Sequence, residues 1–262
     1  MLRTENLTVA YGELKIVDNV SFSVDPQQWL MVVGPNGAGK STIIKAITQE
    51  ISYKGEAFLH NQNIASIRPV ELARKIGVLS QSHHVGYSFT VEEIVRLGRY
   101  AWRRGPLADE PNESEEKINN ALELTGMKKL RGQSVMTLSG GELQRAFLAQ
   151  LFAQDPKLLI LDEPSNHLDL VYQKQMFGLI REWLKQPGRA VVSVVHDLSL
   201  AKAYGTHALL LNKGRLEASG VIGQVLSPDR VSNVYNIDVQ SWMQELLQVW
   251  RLPAEGCIND PV

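Results

Sequence analysis

Residues 33–42, VGPNGAGKST, are the stretch that decides the fold. They fit the phosphate-binding pattern G-x-x-x-x-G-K-[ST] at every fixed position. The apolar run 29–33 before them predicts a buried strand, and the run 42–49 predicts a helix. This strand–loop–helix context favours the motif over a glycine-rich turn that contains lysine by chance. The residues that we expect to bind nucleotide are Gly34, Asn36, Gly37, Ala38, Gly39, Lys40, Ser41 and Thr42.

The chemistry of this loop follows from its residue types. Gly34, Gly37 and Gly39 allow a tight turn that points several backbone N–H groups inward, which forms a nest for an anion. A helix that starts near Lys40 adds the positive end of its dipole, and the lysine supplies a cation for the outer phosphates. The Ser41 hydroxyl offers the oxygen ligand that Mg²⁺ prefers. The loop therefore predicts binding of a nucleoside triphosphate with Mg²⁺, without indicating a family.

Composition limits the class of protein. The chain has 262 residues, of which 44% are hydrophobic and 21% charged, as is usual for a globular protein. The net charge of −1 gives no basic field, so we expect no nucleic-acid partner. The single cysteine, Cys257, rules out a disulfide framework. Neither an N-terminal signal core nor an apolar run of about 18–20 residues is present, so we expect no membrane crossing by this chain itself.

The hydrophobic pattern divides the chain into parts. Residues 1–28 alternate between apolar and polar, which predicts short antiparallel strands, and 54–64 predict another strand pair with a turn at His60 and Asn61. The continuous apolar runs 158–161, 190–195 and 208–211, separated by helical segments, predict buried parallel strands. Residues 89–130 are helical in pattern, with helices expected after Thr90 and over 114–129. The tail is expected to carry a helix over 239–250, with Trp242 and Trp250 as packing residues.

A pair of carboxylates ends one of the buried runs. Residues 158–163 read LLILDE, so that Asp162 and Glu163 follow four apolar residues. Asp162 at the end of the strand is suited to hold Mg²⁺ beside Ser41, and Glu163 is placed to polarise a water molecule against the γ-phosphate. Two solvated acids at a strand end are the alternative, which the complete phosphate loop disfavours.

A second glycine motif, LSGGE at 138–142, opens the predicted helix 142–153. Ser139 and Glu142 fit the capping box S-x-x-E. A plain helix cap explains those two residues, but it does not require the consecutive glycines Gly140 and Gly141. Because the glycines leave bare N–H groups at a helix N-terminus, we interpret the motif as a second anion site.

In order and context, these motifs resemble the ATP-binding-cassette (ABC) ATPases over residues 1–225. The resemblance implies an α/β P-loop NTPase fold with a mixed, mainly parallel sheet, an antiparallel β subdomain and a helical insert. The implied domains are an ATPase domain over 1–226, with the insert at about 89–150, and a C-terminal extension over 227–262 that packs on the domain or trails from it. ATP and Mg²⁺ are the implied cofactors.

The resemblance also assigns roles to single residues. Tyr11 matches the aromatic residue that stacks on adenine. Gln81 matches the glutamine that senses Mg²⁺ and the attacking water, and it joins Ser41 and Asp162 as a metal residue. Glu163 matches the general base, and His196, after the run 190–195, matches the histidine that contacts the γ-phosphate. Taken alone, Gln81 would be a polar loop residue, His196 a strand-end residue and Tyr11 a strand aromatic.

The remaining motif residues imply a dimer. In the family, Ser139, Gly140 and Gly141 match the signature that contacts ATP bound to a partner subunit, and Asp169 matches a loop that communicates across the dimer. The chain has one phosphate loop and one signature, so the resemblance implies a head-to-tail homodimer around two ATP molecules.

The kind of work is indicated by softer features. The chain has no fused membrane domain, second cassette or long coiled coil, which favours a separate importer subunit on the cytoplasmic face of the membrane. Segments 95–100, 166–169 and 234–239 resemble ATPases for iron-siderophore, haem and vitamin B12 uptake. We expect transmembrane permease subunits to dock near residues 83–102 and a substrate-binding protein to act indirectly. A nucleic-acid-associated ATPase and a non-hydrolysing regulatory module are the alternatives. The candidate anchors for the permease are Tyr87, Phe89, Arg96, Arg99, Tyr100 and Trp102. For each of them, a place in a helix core with a solvated basic edge is the alternative.

Overall fold

A computed structural model of the protein describes residues 1–80, 88–103, 110–166 and 168–251. Its strands, in chain order, are β1 (Leu2–Tyr11), β2 (Leu14–Val24), β3 (Trp29–Val33), β4 (Lys54–Leu59), β5 (Gln62–Asn63), β6 (Ile76–Leu79), β7 (Leu158–Asp162), β8 (Ala190–Val194), β9 (His207–Asn212) and β10 (Arg215–Val221). Its α-helices are α1 (Lys40–Ile47), α2 (Pro69–Lys75), α3 (Val91–Leu97), α4 (Pro111–Leu124), α5 (Gly140–Gln154), α6 (Leu170–Leu184), α7 (Leu198–Tyr204), α8 (Ile222–Val225), α9 (Pro228–Tyr235) and α10 (Val239–Val249).

The larger sheet is the frame of the molecule. Its strand order within the described residues is β10-β9-β3-β8-β7-β6, and every neighbouring pair is parallel except β9 with β10. Strands β3, β7 and β8 are buried at every position, because helices cover one face of the sheet and α1 with the smaller sheet covers the other. The predicted mixed, mainly parallel sheet is confirmed. The carboxyl ends of three adjacent strands, β3, β8 and β7, therefore meet at one edge.

A smaller antiparallel sheet lies on the other side of the phosphate loop. Its order is β2-β1-β4-β5, with the predicted turn at His60 and Asn61 between β4 and β5. The β1 side chains Leu7 and Val9 are buried in a core that also contains Leu30 of β3 and Ile43 of α1. This packing fixes the helix that follows the phosphate loop between the two sheets.

Helices α3, α4 and α5 form the predicted helical insert. They contact one another, and Val95, Ile118 and Ala149 share one buried core. The helix predicted over 114–129 instead runs from 111 to 124. Pro111 starts it because proline is favoured in the first turn, and Gly126, with φ of +69°, follows its end.

The C-terminal segment packs on the domain through α9. Val231 and Val234 are buried in the core that contains β3 residues. By contrast, none of the residues of α10, a helix that the structure describes throughout, is buried. Trp242 is 48% and Trp250 83% exposed, so the prediction that both are packing residues is wrong. Across the described ranges, no helix has the length and apolarity required to span a membrane.

Candidate functional site

An open cleft of about 680 Å³ lies at the carboxyl edge of the parallel sheet. The phosphate loop follows β3, Glu163 follows β7, and His196 lies two residues past the end of β8. Because these strands are adjacent, three distant parts of the sequence meet in one place. The described residues that line the cleft are Ile16, Asn36, Gly37, Gly39, Lys40, Ser41, Thr42, Glu163, Asn166 and His196.

Two glycines of the loop are required by close approach of the backbone. Gly34 has φ of +150°, and a Cβ atom there would lie 2.3 Å from the carbonyl oxygen of Leu211. Gly39 has φ of +92°, and its Cβ would lie 2.8 Å from the carbonyl oxygen of Ile16. A side chain at either position would clash with the neighbouring backbone. Glycine at both positions therefore allows the chain to turn tightly between β3 and α1.

Lys40 is the first residue of α1, and Gly39 is the N-cap. The helix therefore starts at Lys40, as predicted, since the positive φ of Gly39 ends the loop. Lys40 is 6% exposed, and its ammonium group donates hydrogen bonds to the carbonyl oxygens of Gly34, at 2.8 Å, and Pro35, at 3.0 Å. Burial lowers the pKa of Lys40, and the negative charges of Glu163 and Asp162 oppose that effect. The cation is thus held inside the loop, beside the carboxylates.

Ser41 and Asp162 form the next pair. The Ser41 hydroxyl donates to Asp162 Oδ1 over 2.9 Å, although the two residues are 121 positions apart in sequence. Asp162 is 6% exposed, and its burial raises the pKa of the carboxyl group against the lowering effect of the Ser41 hydrogen bond. The sequence-based pairing of these two residues agrees with the distance between their oxygens.

Glu163 lies between two polar partners. Its Oε1 is 2.5 Å from His196 Nε2, and its Oε2 accepts a hydrogen bond of 2.7 Å from Asn166 Nδ2. Its φ of +52° turns the chain out of β7, while its backbone N–H donates to the carbonyl oxygen of Val194 over 3.2 Å. A carboxylate held from both sides can accept a proton from a water molecule in the cleft.

Sequence reasoning assigned no role to Asn166 or Ile16, which also line the cleft. Asn166 stands three residues after Glu163, and the backbone N–H of Asn166 donates to the Glu163 carbonyl oxygen at 3.1 Å. An amide at that spacing in a tight turn was the available signal. Ile16 lies in β2 as one of several alternating apolar residues, and nothing local distinguishes it.

Tyr11 and Gln81 are not placed in the cleft by the described residues. Tyr11 ends β1 with 60% exposure and is not among the described residues of the cleft lining. Gln81 lies outside the described residues, two positions after β6 ends at Leu79. Tyr235, from the C-terminal segment, lies near the phosphate loop. Burial raises the pKa of its hydroxyl, and the backbone of Gly34 opposes that effect.

The second glycine motif lies apart from this cleft. Ser139 is the N-cap of α5 in a complete capping box: its hydroxyl accepts from Glu142 N–H at 3.3 Å, and its own N–H donates to Glu142 Oε2 at 2.9 Å. Ser139 and Gly140 are exposed, whereas Gly141 is buried. Asp169 is the N-cap of α6. None of these residues belongs to the described lining of the cleft in the same chain.

The segment predicted to contact a permease is only partly described, because 81–87 lie outside the described residues and include Tyr87. For Arg99, the structure favours the alternative of a core residue over an interface anchor. Arg99 is 3% exposed and donates to the carbonyl oxygen of Ala153 at 2.7 Å, at the end of α5. Trp102 donates to the Gln154 carbonyl oxygen at 2.9 Å, and Arg99 lies over its ring at 4.9 Å. Arg99 and Trp102 therefore stabilise the fold through hydrogen bonds at the end of α5.

Three other candidate anchors differ in their surroundings. Arg96 is engaged by Glu92, at 2.7 Å, and by Glu115, so it too is committed to the insert. Tyr100 is 73% exposed and Phe89 is 37% exposed. Among the described residues of this segment, the exposed aromatic surface is therefore centred on Tyr100.

Comparison with known proteins agrees with this geometry. Residues 17–166, more than half of the chain, match the sequence family described as ABC transporter. The chain is 35% identical to the ABC transporter ATP-binding protein YvrA of Bacillus subtilis (strain 168) over 93% of its own length, and it spans 55% of YvrA. It is 32% identical to the ferric enterobactin transport ATP-binding protein FepC of Escherichia coli (strain K12), with 90% of this chain and 87% of FepC covered.

A third relative and two solved structures extend the comparison. The chain is 38% identical to the hemin import ATP-binding protein HmuV of Nocardia farcinica (strain IFM 10152), over 86% of this chain and 77% of HmuV. The ADP conformation of MJ1267, an ATP-binding cassette of an ABC transporter, has a TM-score of 0.79 at 28% identity and covers 90% of this chain and 98% of its own. The dimeric post-hydrolysis structure of the cassette MJ0796 with ADP and Pi has a TM-score of 0.73 at 25% identity, covering 85% and 99%. Family match, relatives and fold agree that the chain belongs to the ABC transporter family, as one of its ATP-binding proteins.

Proposed function

We propose that this chain hydrolyses ATP as a subunit of a membrane importer. One observation carries the proposal: the phosphate loop, the Ser41–Asp162 pair and the Glu163–His196 pair meet at one cleft. A regulatory protein that only binds ATP would not need a carboxylate held between His196 and Asn166 beside the triphosphate site. The geometry therefore favours hydrolysis over the non-hydrolysing alternative.

The proposed reaction uses groups of the cleft in separate roles. Loop amides and Lys40 hold the phosphates, and Tyr11 is proposed to stack on adenine. Glu163 accepts a proton from the attacking water, whose oxygen forms the new bond to the γ-phosphorus as the bond to ADP breaks. His196, 45% exposed, contacts the γ-phosphate and orients Glu163 through the 2.5 Å contact. The proposed domain limits remain 1–226, with an insert at about 89–150, and 227–262.

The donor set fits Mg²⁺. The Ser41 and Asp162 oxygens are hard ligands 2.9 Å apart, so both can bind one ion. Burial raises the pKa of Asp162, and a divalent cation would offset the cost of keeping that carboxylate charged. We propose that Ser41, Asp162 and Gln81 hold Mg²⁺, which when bound would neutralise charge on the phosphates.

The second glycine motif is proposed to act in a homodimer. Ser139, Gly140 and Gly141 would contact ATP in the partner copy, and Asp169 would lie at the same interface. This is supported by the exposure of Ser139 and Gly140 and by their position outside the cleft of their own chain. The related cassette MJ0796 is dimeric with ADP and Pi, which also supports it.

The proposed cargo is a ferric siderophore or haem. FepC is named for ferric enterobactin transport and HmuV for hemin import, which supports an iron-chelate class. Cobalamin stays a prediction from the resemblance alone. Permease subunits would dock near 83–102, with Tyr100 as the exposed aromatic anchor, and would hold the chain at the cytoplasmic face of the membrane. A substrate-binding protein would act through the permease.

Replacing the proposed base tests the catalytic part. Glu163→Gln should retain ATP binding and reduce the hydrolysis rate at least about 100-fold, in the range for loss of a general base. Glu217→Gln makes the same chemical change at an exposed residue of β10 and should hydrolyse at the parent rate. ATP binding is measured with a fluorescent analogue, and hydrolysis by phosphate release. Parent-level turnover by Glu163→Gln would contradict the assignment.

Transport is tested on the native complex. The tagged full chain is purified from its own membrane, and the co-purifying subunits and bound chelate are identified by mass spectrometry. Permease subunits are expected with the chain, and ATPase activity of the reconstituted complex should rise with a ferric chelate and its binding protein. Stimulation by DNA, without a permease, would instead support the nucleic-acid-associated alternative.

A further inference from the structure

The two glycines at the start of α5 have different surroundings. Around Gly140, the described residues place no heavy atom within 4 Å of a Cβ built on its backbone. A Cβ at Gly141 would lie 2.4, 2.5 and 2.6 Å from Cγ, Cδ1 and Cδ2 of Tyr172. These atoms are at the root of the ring, so no small movement of a flexible end would relieve the clash. Gly141 is therefore a glycine because the Tyr172 ring lies directly against the α5 backbone.

The same ring is held from a second direction. The guanidinium carbon of Arg145 lies 5.6 Å from the centre of the Tyr172 ring. Arg145 follows Gly141 by four residues, so both lie on one face of α5. The ring thus packs on the first turn of α5, against the backbone of Gly141 and beside the Arg145 side chain.

Tyr172 also belongs to the start of α6. Its backbone N–H donates to the side-chain oxygen of Asp169, the N-cap of α6, over 2.9 Å. The backbone of Tyr172 is thereby fixed to Asp169, and its ring is fixed to the entrance of α5. A single residue connects the Asp169 end of one helix with the Ser139 end of another.

We propose that Tyr172 is a positioning residue that makes the Asp169 turn and the Ser139–Gly141 turn move as one body. The proposal rests on the proposed function, in which both turns contact the site of a partner copy. With the ring in place, closure of the dimer presents the two turns together. Without it, each turn must be ordered separately on closure, which weakens ATP-driven association while leaving the chain's own phosphate loop intact.

A stability comparison tests the packing. Gly141→Ala should lower the melting temperature more than Gly140→Ala, since only the former meets the ring. Adding Tyr172→Ala to Gly141→Ala should recover part of that loss, so that the two substitutions together cost less than their sum. Equal losses for the two glycine variants, or strictly additive effects, would overturn the argument.

A functional comparison separates positioning from simple stability. In a Glu163→Gln background, Tyr172→Ala should weaken ATP-dependent dimerisation about tenfold, the change expected for losing one aromatic packing contact. Nucleotide affinity of the monomer should stay within about twofold of the parent. Tyr172→Phe keeps the ring and should dimerise like the parent. Parent-like dimerisation by Tyr172→Ala, measured by analytical ultracentrifugation, would refute the positioning role.

These outcomes are distinct from failure of the proposed function. If the parent chain does not hydrolyse ATP and the Glu163→Gln variant forms no ATP-dependent dimer, the proposed function fails, and the positioning role fails with it. If the parent behaves as proposed and Tyr172→Ala does not differ from it, only the present inference fails.

Discussion

An ion cluster on the helical insert allows a quantitative test through Glu92. The Glu92 carboxylate accepts two hydrogen bonds from Arg131, at 2.6 and 2.7 Å, and one from Arg96 at 2.7 Å. Arg96 also binds Glu115 on α4. The cluster therefore connects α3 with α4 and with the segment that leads to α5. We expect Glu92→Gln to remove most of the electrostatic attraction between this side chain and the two arginines without changing the side-chain shape.

The magnitude follows from the pKa of Glu92. Hydrogen bonds from Arg131 first, and from Arg96 second, lower it from 4.5 to about 2. Full conversion of this lowering would give about 3.4 kcal/mol at neutral pH. The side chains of Glu92, Arg96 and Arg131 are 28%, 34% and 36% exposed, so solvent screening reduces the expected loss to about 1–2 kcal/mol.

The sign of the pH dependence is fixed by the lowered pKa. The folded protein keeps Glu92 charged more readily than the unfolded chain, so the stabilisation is complete above pH 4.5 and is lost as the pH falls toward about 2. The free energy of unfolding in urea, measured from pH 7 downward, should differ between parent and Glu92→Gln by a gap that narrows below pH 4.5. Glu116→Gln on exposed α4 surface is the control. A gap that is absent at pH 7, or that widens in acid, would refute the reasoning.

Two further predictions concern the loop and the insert. Gly34→Ala should lower the melting temperature by several degrees, because its Cβ meets the Leu211 carbonyl oxygen at 2.3 Å, whereas Gly223→Ala, with no described neighbour within 4 Å, should change it little. Scanning calorimetry decides between these outcomes, and equal effects would contradict the close approach. Arg99→Ala should destabilise the insert and lower the melting temperature, because Arg99 is buried. Tyr100→Ala should leave the melting temperature unchanged but reduce co-purification with permease subunits. An unchanged melting temperature for Arg99→Ala, or normal co-purification for Tyr100→Ala, would contradict the role given to that residue.

Much of the fold was predictable because its signals are local. The apolar runs that became β3, β7 and β8 are continuous, and no alternative to buried parallel strands accounts for them as well. The Ser41–Asp162 pairing followed from motif chemistry and strand adjacency. Within the cleft, the sequence indicated most of the polar residues that the structure brings together.

The failures concern properties that depend on distant neighbours. Arginine is a residue type favoured at interfaces, but Arg99 instead donates a hydrogen bond to the carbonyl oxygen of Ala153, 54 residues away in sequence. A contact with so distant a residue could not be predicted from the sequence pattern around Arg99. Tryptophan side chains are usually largely buried, but α10 packs against too little of the domain to cover Trp242 and Trp250. The need for Gly141 could not be seen either, since Tyr172 stands 31 positions later and its ring direction is set by tertiary packing.

The attachment of α9 decides where this protein can be divided. Val231 and Val234 fill the same core as β3, and together their burial contributes about 3–5 kcal/mol. Tyr235, the last residue of α9, lies close enough to the phosphate loop for the Gly34 backbone to influence the pKa of its hydroxyl. Ending the chain after 226 would uncover apolar surface of the core and remove Tyr235 from beside the phosphate loop. We therefore expect the smallest autonomous folding unit to extend at least through Tyr235, well past the last strand of the sheet.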